Sequence, residues 1–420
     1  LNKRKAVVVL SGTAAFKIII SQAFLNMKNL FLFLLSLSIG IAHAQTDIEK
    51  KIQSQLILAK DGATVEITEG VFAISKTLSL DGKKNITIRG AGMDKTILSF
   101  KNQNSGAEGI RITNAENITI ENMTVQDSKG DLIKTLHVKG ITFRHIKAEW
   151  TGKPKKTNGA YALYPVQCEN VVIDNCTARG ASDAGIYVGQ SKKIVVKNCT
   201  ALENVAGIEI ENSLYADVFD NKAIGNTGGI LVFDLPDLVQ KRGGYVRVFN
   251  NQISENNLSN FAPKGNIVGK VPKGTGVLIL ATNNVEVYNN QILNNRSCGL
   301  GIISYYMTEI PIKDTSYYPY PTAIYVHDNT FERRRERTTS EGRFGLMYRF
   351  KLKFGKDVPH IQYDGIIDPK TMDANGKIKP ESRICIRNNK NQSLVNMDAE
   401  HGFKNKNRDP SVFDCVLDPL

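Results

Sequence analysis

A short repeat constrains this chain more than anything else in it, because its period leaves few folds open. Val171-Val-Ile-Asp-Asn-Cys-Thr-Ala178 is followed 23 residues later by Ile194-Val-Val-Lys-Asn-Cys-Thr-Ala201. The same interval again reaches Asp217-Val-Phe-Asp-Asn-Lys-Ala-Ile224. The pattern, apolar-x-apolar-x-Asn and then a second short apolar segment, recurs around Asn122, His145, Asn251, Asn290, Asn329 and Asn389. A second series runs beside it: Ala184-Gly-Ile-Tyr-Val, Ala206-Gly-Ile-Glu-Ile, Gly228-Gly-Ile-Leu-Val and Thr275-Gly-Val-Leu-Ile. Each unit therefore supplies short strands of period two, parted by Gly or Asn corners.

Such strands, repeated every 22–23 residues, describe an all-β fold, the right-handed parallel β-helix, a single-stranded solenoid. One coil cannot bury its own apolar face, but stacked coils bury one another's. Asparagine suits the corners because it tolerates a left-handed backbone and its amide can bond to the next rung. A leucine-rich repeat has a similar period, but its leucine frame and helices are missing. Ten or more rungs at ~4.8 Å predict a rod on the order of 50 Å long. Its ends need caps. Ile48, Ile52, Leu56 and Ala59 share a helical face, and Thr46-x-x-Glu49 fits a capping box, so a helix should close the start. The expected organisation is the capped β-helix over 46–331, a basic insertion over 332–383 with Pro359, Pro369 and Pro380, and a last coil with a C-terminal cap over 384–420.

The net charge of +13 invites a nucleic-acid reading until the charge is located. Residues 1–45 hold five basic residues and no acid, and Glu332 to Lys356 carry nine basic residues against three acidic ones. No nucleic-acid reading module accompanies either stretch, so the second reads as a solvated basic loop or a docking site for an acidic polymer or partner. Met27-Lys28-Asn29, the apolar run Leu30 to Ile41 and Ala42-His43-Ala44 have the form of a secretory signal peptide over 27–44. Residues 1–26 then read as an upstream extension from a misplaced start, and the chain as secreted or periplasmic. The apolar run is too short for a comfortable membrane span, so none is expected in the mature chain. Of six cysteines, Cys385 and Cys415 are the pair expected to bridge, whereas Cys176 and Cys199 read as small buried apolar residues. No spacing suits a metal, and no cofactor is implied.

The opening coils, Gly62-Ala-Thr-Val-Glu-Ile-Thr-Glu-Gly-Val-Phe72 and Asn85-Ile-Thr-Ile-Arg-Gly90, resemble those of the pectate-lyase-like superfamily. A closer resemblance, over about 62–420, is to a family of bacterial exported parallel β-helix repeat proteins. It is carried by Gly159-Ala-Tyr-Ala-Leu-Tyr-Pro-Val-Gln167, Gly180-Ala-Ser-Asp-Ala-Gly-Ile-Tyr-Val-Gly-Gln-Ser191, Asn204-Val-Ala-Gly-Ile-Glu-Ile-Glu-Asn-Ser213 and Asn226-Thr-Gly-Gly-Ile-Leu-Val-Phe-Asp234. The resemblance implies fold and export but no reaction, and it implies an exported c-type haem protein as a neighbour and candidate partner.

Alternation turns Ile186, Ile208 and Ile230 inward, so Tyr187, Glu209, Glu211 and Phe233 should face out. Tyr164 is expected to stack on Tyr187, Asp183 to sit at the preceding corner, and Gln167, Gln190, Asn212 and Asp234 to line the following one. Acids, tyrosines and amides on one exposed strip form a mixture that binds sugars, with Tyr164, Tyr187, Gln167, Gln190 and Asn212 as contacts to a polysaccharide. Glu209 and Glu211, two apart on a strand, have backbone positions about 6.5–7 Å apart, near the separation of an inverting glycosidase pair. The exposed glutamates could instead merely solubilise the face, and Asp183 and Asp234 could serve in their place or simply cap corners. A uronate lyase or epimerase would use Lys139, Arg144 or Arg179 as its cation and His145 as its base. The paired aspartates and histidine of polygalacturonases and the Asp-Pro-His-Asp arrangement of alginate epimerases are absent, and His145 equally fits a corner. A non-catalytic scaffold or maturation factor remains the third reading.

Overall fold

The computed structural model describes residues 48–420 together with Met27; the signal-peptide and upstream-extension readings, and Thr46 of the capping box, lie outside these residues. Residues 52–420 form one unit built from parallel strands. Alternation makes these strands and stacking pairs them: among the described residues one sheet has 19 strands and the other 11. The smaller sheet takes one strand from each of its rungs, from Lys76–Asp81 to Leu394–Asn396. At ~4.8 Å per step that is a rod of roughly 50 Å. The chain is a right-handed parallel β-helix, and no described helix is long and apolar enough to cross a membrane.

The register corrects the repeat. Val171 pairs with Ile194, but Ile194 pairs with Ala216, not Asp217, so the third copy is 22 residues on. A one-residue slip exchanges the inward and outward columns. Asn122, His145, Asn175, Asn198 and Asp220 thus form one left-handed corner column, with φ between 50° and 60°. The adjacent inward column runs Met123, Ile146, Cys176, Cys199, Asn221, all at most 1% exposed. From Asn221 this inward column is a ladder through Asn251, Asn290 and Asn329 to Asn389, each amide donating to the next Oδ1 at 2.9–3.0 Å. A second ladder joins Asn204, Asn226, Asn256 and Asn295 at 3.0 Å. Cys176 and Cys199 are free and buried at the head of the first ladder, where Cys199 accepts from the backbone N–H of Cys176. His145 is an exposed corner residue.

The start is closed by a helix over 48–58. Ile52 and Leu56 are buried, and the Gln53 amide exchanges two hydrogen bonds with the backbone of Ser79, at 2.8 and 2.9 Å. Segment 332–383 is only partly an insertion, because Ile361–Tyr363 pairs with Cys298–Ile303 and takes a rung of its own. Cys385 and Cys415 are bridged. The final segment was expected to cover the far end. Phe413 does pack edge-on to Tyr363, but the chain then returns along the outer face of the larger sheet, where Leu420 meets Arg247 and Glu286.

Candidate active site

One glycine and the pairing register assemble the site on the outer face of the smaller sheet. The strands Ala184–Gly189, Ala206–Glu211 and Gly228–Phe233 pair in register, so Tyr187, Glu209 and Leu231 form one column and Gly189, Glu211 and Phe233 the next. A Cβ on Gly189 would lie 2.2 Å from the Tyr187 hydroxyl oxygen. Glycine there lets the phenol lie down along the strand and donate to Glu211 Oε1 at 2.6 Å. Tyr164 meets Tyr187 edge-on, at 5.1 Å and 79°, rather than stacking on it. Between them sits Tyr161, 4.3 Å from one ring and 4.4 Å from the other. Alternation counted from Leu163 turns Tyr161 inward, so period alone misses it; it is the first residue of its strand, where the corner still sets direction.

The strip is not exposed. All six residues of Ala184–Gly189, Ala206–Glu211, Gly228–Phe233 and Thr275–Leu280 are buried. The cause is a set of long connections. Three residues separate Leu202 from Ala206, whereas 20 separate Ser254 from Thr275 and 18 separate Ile303 from Thr322. Val268, Val271, Ile267, Ile310 and Tyr317 from these connections pack on Tyr187, Leu231 and Phe233. Loop 255–274 is held by the Asn260 amide, which donates to the carbonyls of Val268 and Val271 at 2.9 and 3.0 Å. From this loop Asn266 reaches down and donates to Asp183 Oδ2 at 2.9 Å.

Two of the expected sugar contacts are occupied by the protein itself. Gln190 accepts from the N–H of Val239, and Asn212 bonds the backbone of Leu235 and Gln240, so both pin loop 234–243. Gln167 bonds His137 at 2.6 Å. Asp234 lies beside this loop, with Tyr317 donating to its backbone oxygen. Its side-chain Oδ1 has no partner.

What the structure brings together is Asp183, Glu209 and Glu211, with Tyr161 and Tyr187, and Asp131 at the outer edge. Burial is the first cause of every shift in the cluster. It pushes Asp183 and Glu211 up to about 7, Asp234 to about 7 and Asp131 to about 6. Glu209, raised by burial and then by its neighbours Asp183 and Glu211, stands well above the usual carboxylate range. Its Oε2 is buried and has no hydrogen-bond partner. Among the described residues no cation offsets the charge of Glu209 or Glu211; Lys134 acts at the rim, on Asp131 and over the Tyr164 ring at 4.8 Å. Carboxyls held near neutrality in this way can donate or accept a proton at physiological pH. Among the described residues no group of three or more His, Cys, Asp or Glu could hold a metal ion.

The cations expected for a uronate site are elsewhere. Arg144 pairs with Glu121 at 3.6 Å and Arg179 with Glu203 at 2.6 Å, and Lys139 begins a strand of the same larger sheet. Asp131 and Asn266 escaped the sequence reading because neither lies in a repeat column; their neighbourhood is set by loops.

A family model of the right-handed β-helix region matches residues 84–237. This chain is a β-helix protein. Its fold is similar to the A-module of the mannuronan C-5 epimerase AlgE4 of Azotobacter vinelandii, with 13% identity over 82% of this chain and 90% of that one, at a TM-score of 0.50. The A-module of AlgE6 from the same organism is 14% identical over 70% and 90%, at 0.39. A tailspike of the E. coli bacteriophage HK620 is 13% identical over 66% and 52%, at 0.42. At such identities the likeness is one of fold, and the site of this β-helix must be read from its own residues. No curated protein sequence matches it.

Proposed function

We propose that this β-helix processes a carbohydrate polymer by acid–base chemistry at Asp183, Glu209 and Glu211, and that the sugar it takes is neutral or amino-bearing rather than a uronate. The observation that carries the reading is the Glu209 carboxyl, buried beside two other buried carboxyls and with its Oε2 lacking any hydrogen-bond partner among the described residues. A structural acid in the core would be paired, since an unpaired one costs stability. An acid that must meet a substrate is left free. Within the cluster one protonated carboxyl can protonate a leaving glycosidic oxygen while an ionised neighbour deprotonates the attacking water or itself bonds the anomeric carbon, the resulting ester then being hydrolysed by water. Tyr187 orients Glu211 for this, and Tyr161 and Tyr164 offer an aromatic wall at the entrance. A uronate would bring a further negative charge to a site where Glu209 and Glu211 have no cation beside them, which argues against the lyase or epimerase reading. Substrate entry requires loop 255–274 to lift, releasing Asn266 from Asp183. Similar folds act on polysaccharides, as their names state; the scaffold reading with a haem-protein partner finds no support in them. Export belongs to the same proposal, and mature protein beginning at Gln45 in the extracytoplasmic fraction is its expected signature.

The test is a panel of neutral, amino-sugar and uronate polymers, with products followed by reducing ends and mass. Cleavage of a neutral or amino-sugar polymer is expected, falling about 10²–10⁴-fold in Glu209→Gln or Glu211→Gln. Tyr187→Phe should move the activity profile upward in pH, because the bond it loses is the one that lowers Glu211. Turnover of uronates alone, or activity indifferent to all three carboxyls, would sink the proposal.

A further inference from the structure

The basic stretch that the site does not use has a shape of its own. Gly342–Met347 is a helix that continues through Tyr348–Leu352. Its inner side is fixed: Tyr348 and Leu352 pack with Phe354, Val358, Val395 and Met397, and a Cβ on Gly345 would lie 2.6 Å from the backbone of Ser340. Its outer side carries Leu346 and Phe350, four residues apart on one face and 52% and 70% exposed. Around them stand Arg349, Lys351, Lys353 and Lys356. A second segment adds Lys404 and Lys406, brought alongside where Lys351 lies over the Phe403 ring at 5.6 Å. None of these six cations is within ion-pair distance of a described carboxylate, although neighbouring Arg334, Arg335 and Arg343 are paired with Glu255, Asp357 and Glu309.

We infer that this face docks on an anionic lipid surface, with Leu346 and Phe350 entering the acyl boundary and the six cations meeting the headgroups. A solvated loop explains the charge but not two large apolar side chains at its centre. An acidic polymer would meet the cations and leave Leu346 and Phe350 in water. A surface with both anionic heads and hydrocarbon satisfies both parts of the patch, as for helices that lie in a bilayer interface. Eleven residues span only about 16 Å, so the helix lies on the membrane and does not cross it.

The experiment places a reporter on the face itself, so that contacts made by other segments of the full chain do not count. Phe350→Trp and, as control, Val71→Trp on an exposed early coil are mixed with vesicles of phosphatidylglycerol and phosphatidylcholine bearing brominated acyl chains. Trp150, buried, is common background. Quenching is expected for Phe350→Trp and not for Val71→Trp. It should vanish with phosphatidylcholine alone, and Arg349→Glu with Lys353→Glu should weaken it by about 30-fold or more, taking roughly a fivefold factor per lost cation as a lower scale. If that double variant misfolds, 0.5 M salt on the parent tests the same attraction. An unquenched Phe350→Trp, or equal quenching by uncharged vesicles, overturns the inference. So does binding of a soluble polyuronate that survives Leu346→Ser with Phe350→Ser while vesicles leave the reporter dark, which would assign the face to an acidic polymer.

Discussion

The two sheets share their interior and differ in what happens outside. On the larger sheet the outer face stays open apart from the C-terminal segment at Arg247 and Glu286, and strands such as Glu169–Asp174 and Leu214–Phe219 alternate between buried and partly exposed residues. Its charges are matched across rungs: Arg247 makes two bonds of 2.7 Å to Asp217. Its aromatic residues stack in a column, Phe219 on Phe249 on Tyr288 on His327, with centroids 4.8–5.2 Å apart. On the smaller sheet the outer face is roofed by loops, and there Asp183 and Glu211 each accept a neutral hydrogen bond while Glu209 Oε2 accepts none among the described residues. The same solenoid register thus builds a self-satisfied wall on one side and a buried, acid-lined pocket on the other. On the proposed function, these roofed acids serve the reaction rather than stability.

The largest expected contrast tests whether the roof is real. Phe233 is 1% exposed beneath the loops, while Phe249 is half-buried in the open stack. Phe233→Ala should cost about 3–5 kcal/mol, and Phe249→Ala only about 1 kcal/mol. Chemical denaturation of both variants decides it. Equal costs would mean that loops 255–274 and 304–321 do not pack as described.

Why the open wall was legible and the pocket was not follows from range. Period two, glycine and asparagine corners and the stacking of like on like are local, so the fold can be read from single rungs. Even here one ambiguity misled: in Asn250-Asn251 and Asn289-Asn290 the first residue holds the left-handed corner and the second points inward. A pair of identical letters cannot say which is which, and Asp220-Asn221 was aligned one residue out. The acids were legible as a column, because Tyr187, Glu209 and Leu231 do share one. Their burial was not, since loops without period carry no signal about the face on which they land. Asn266 on Asp183 is a contact across 83 residues.

A finer test uses the titration of the roofed acids. Asp183, Glu211 and Asp234 are raised to about 7 by burial. The folded state therefore holds protons that the unfolded chain has released above about pH 4. Their contribution to stability is fully present below that pH and is lost as the pH rises through about 7. Glu209→Gln removes the cost of burying that carboxylate or of protonating it, without changing the shape of the side chain. At pH 8 it should stabilise the protein by on the order of 1–3 kcal/mol, and at pH 4 it should change little. Thermal melts at the two pH values read this directly. A loss of stability at pH 8 would show that Glu209 is structural.

The smallest effect is the mirror of that one. Asp217→Asn makes the same carboxylate-to-amide change on the open wall, where the acid is half-exposed and its partner Arg247 already grips it at 2.7 Å. A surface pair of this kind is worth about 0.2–1 kcal/mol, and the substitution should destabilise by that amount, less at high salt because the charges are screened. One chemical change is thus expected to have opposite signs on the two faces of a single solenoid. If Asp217→Asn also stabilised the protein, general relief of repulsion would explain both results, and the special standing of the roofed carboxyls would be gone. If it destabilises while Glu209→Gln stabilises, the difference lies in pairing, which is the property that distinguishes a wall from a site.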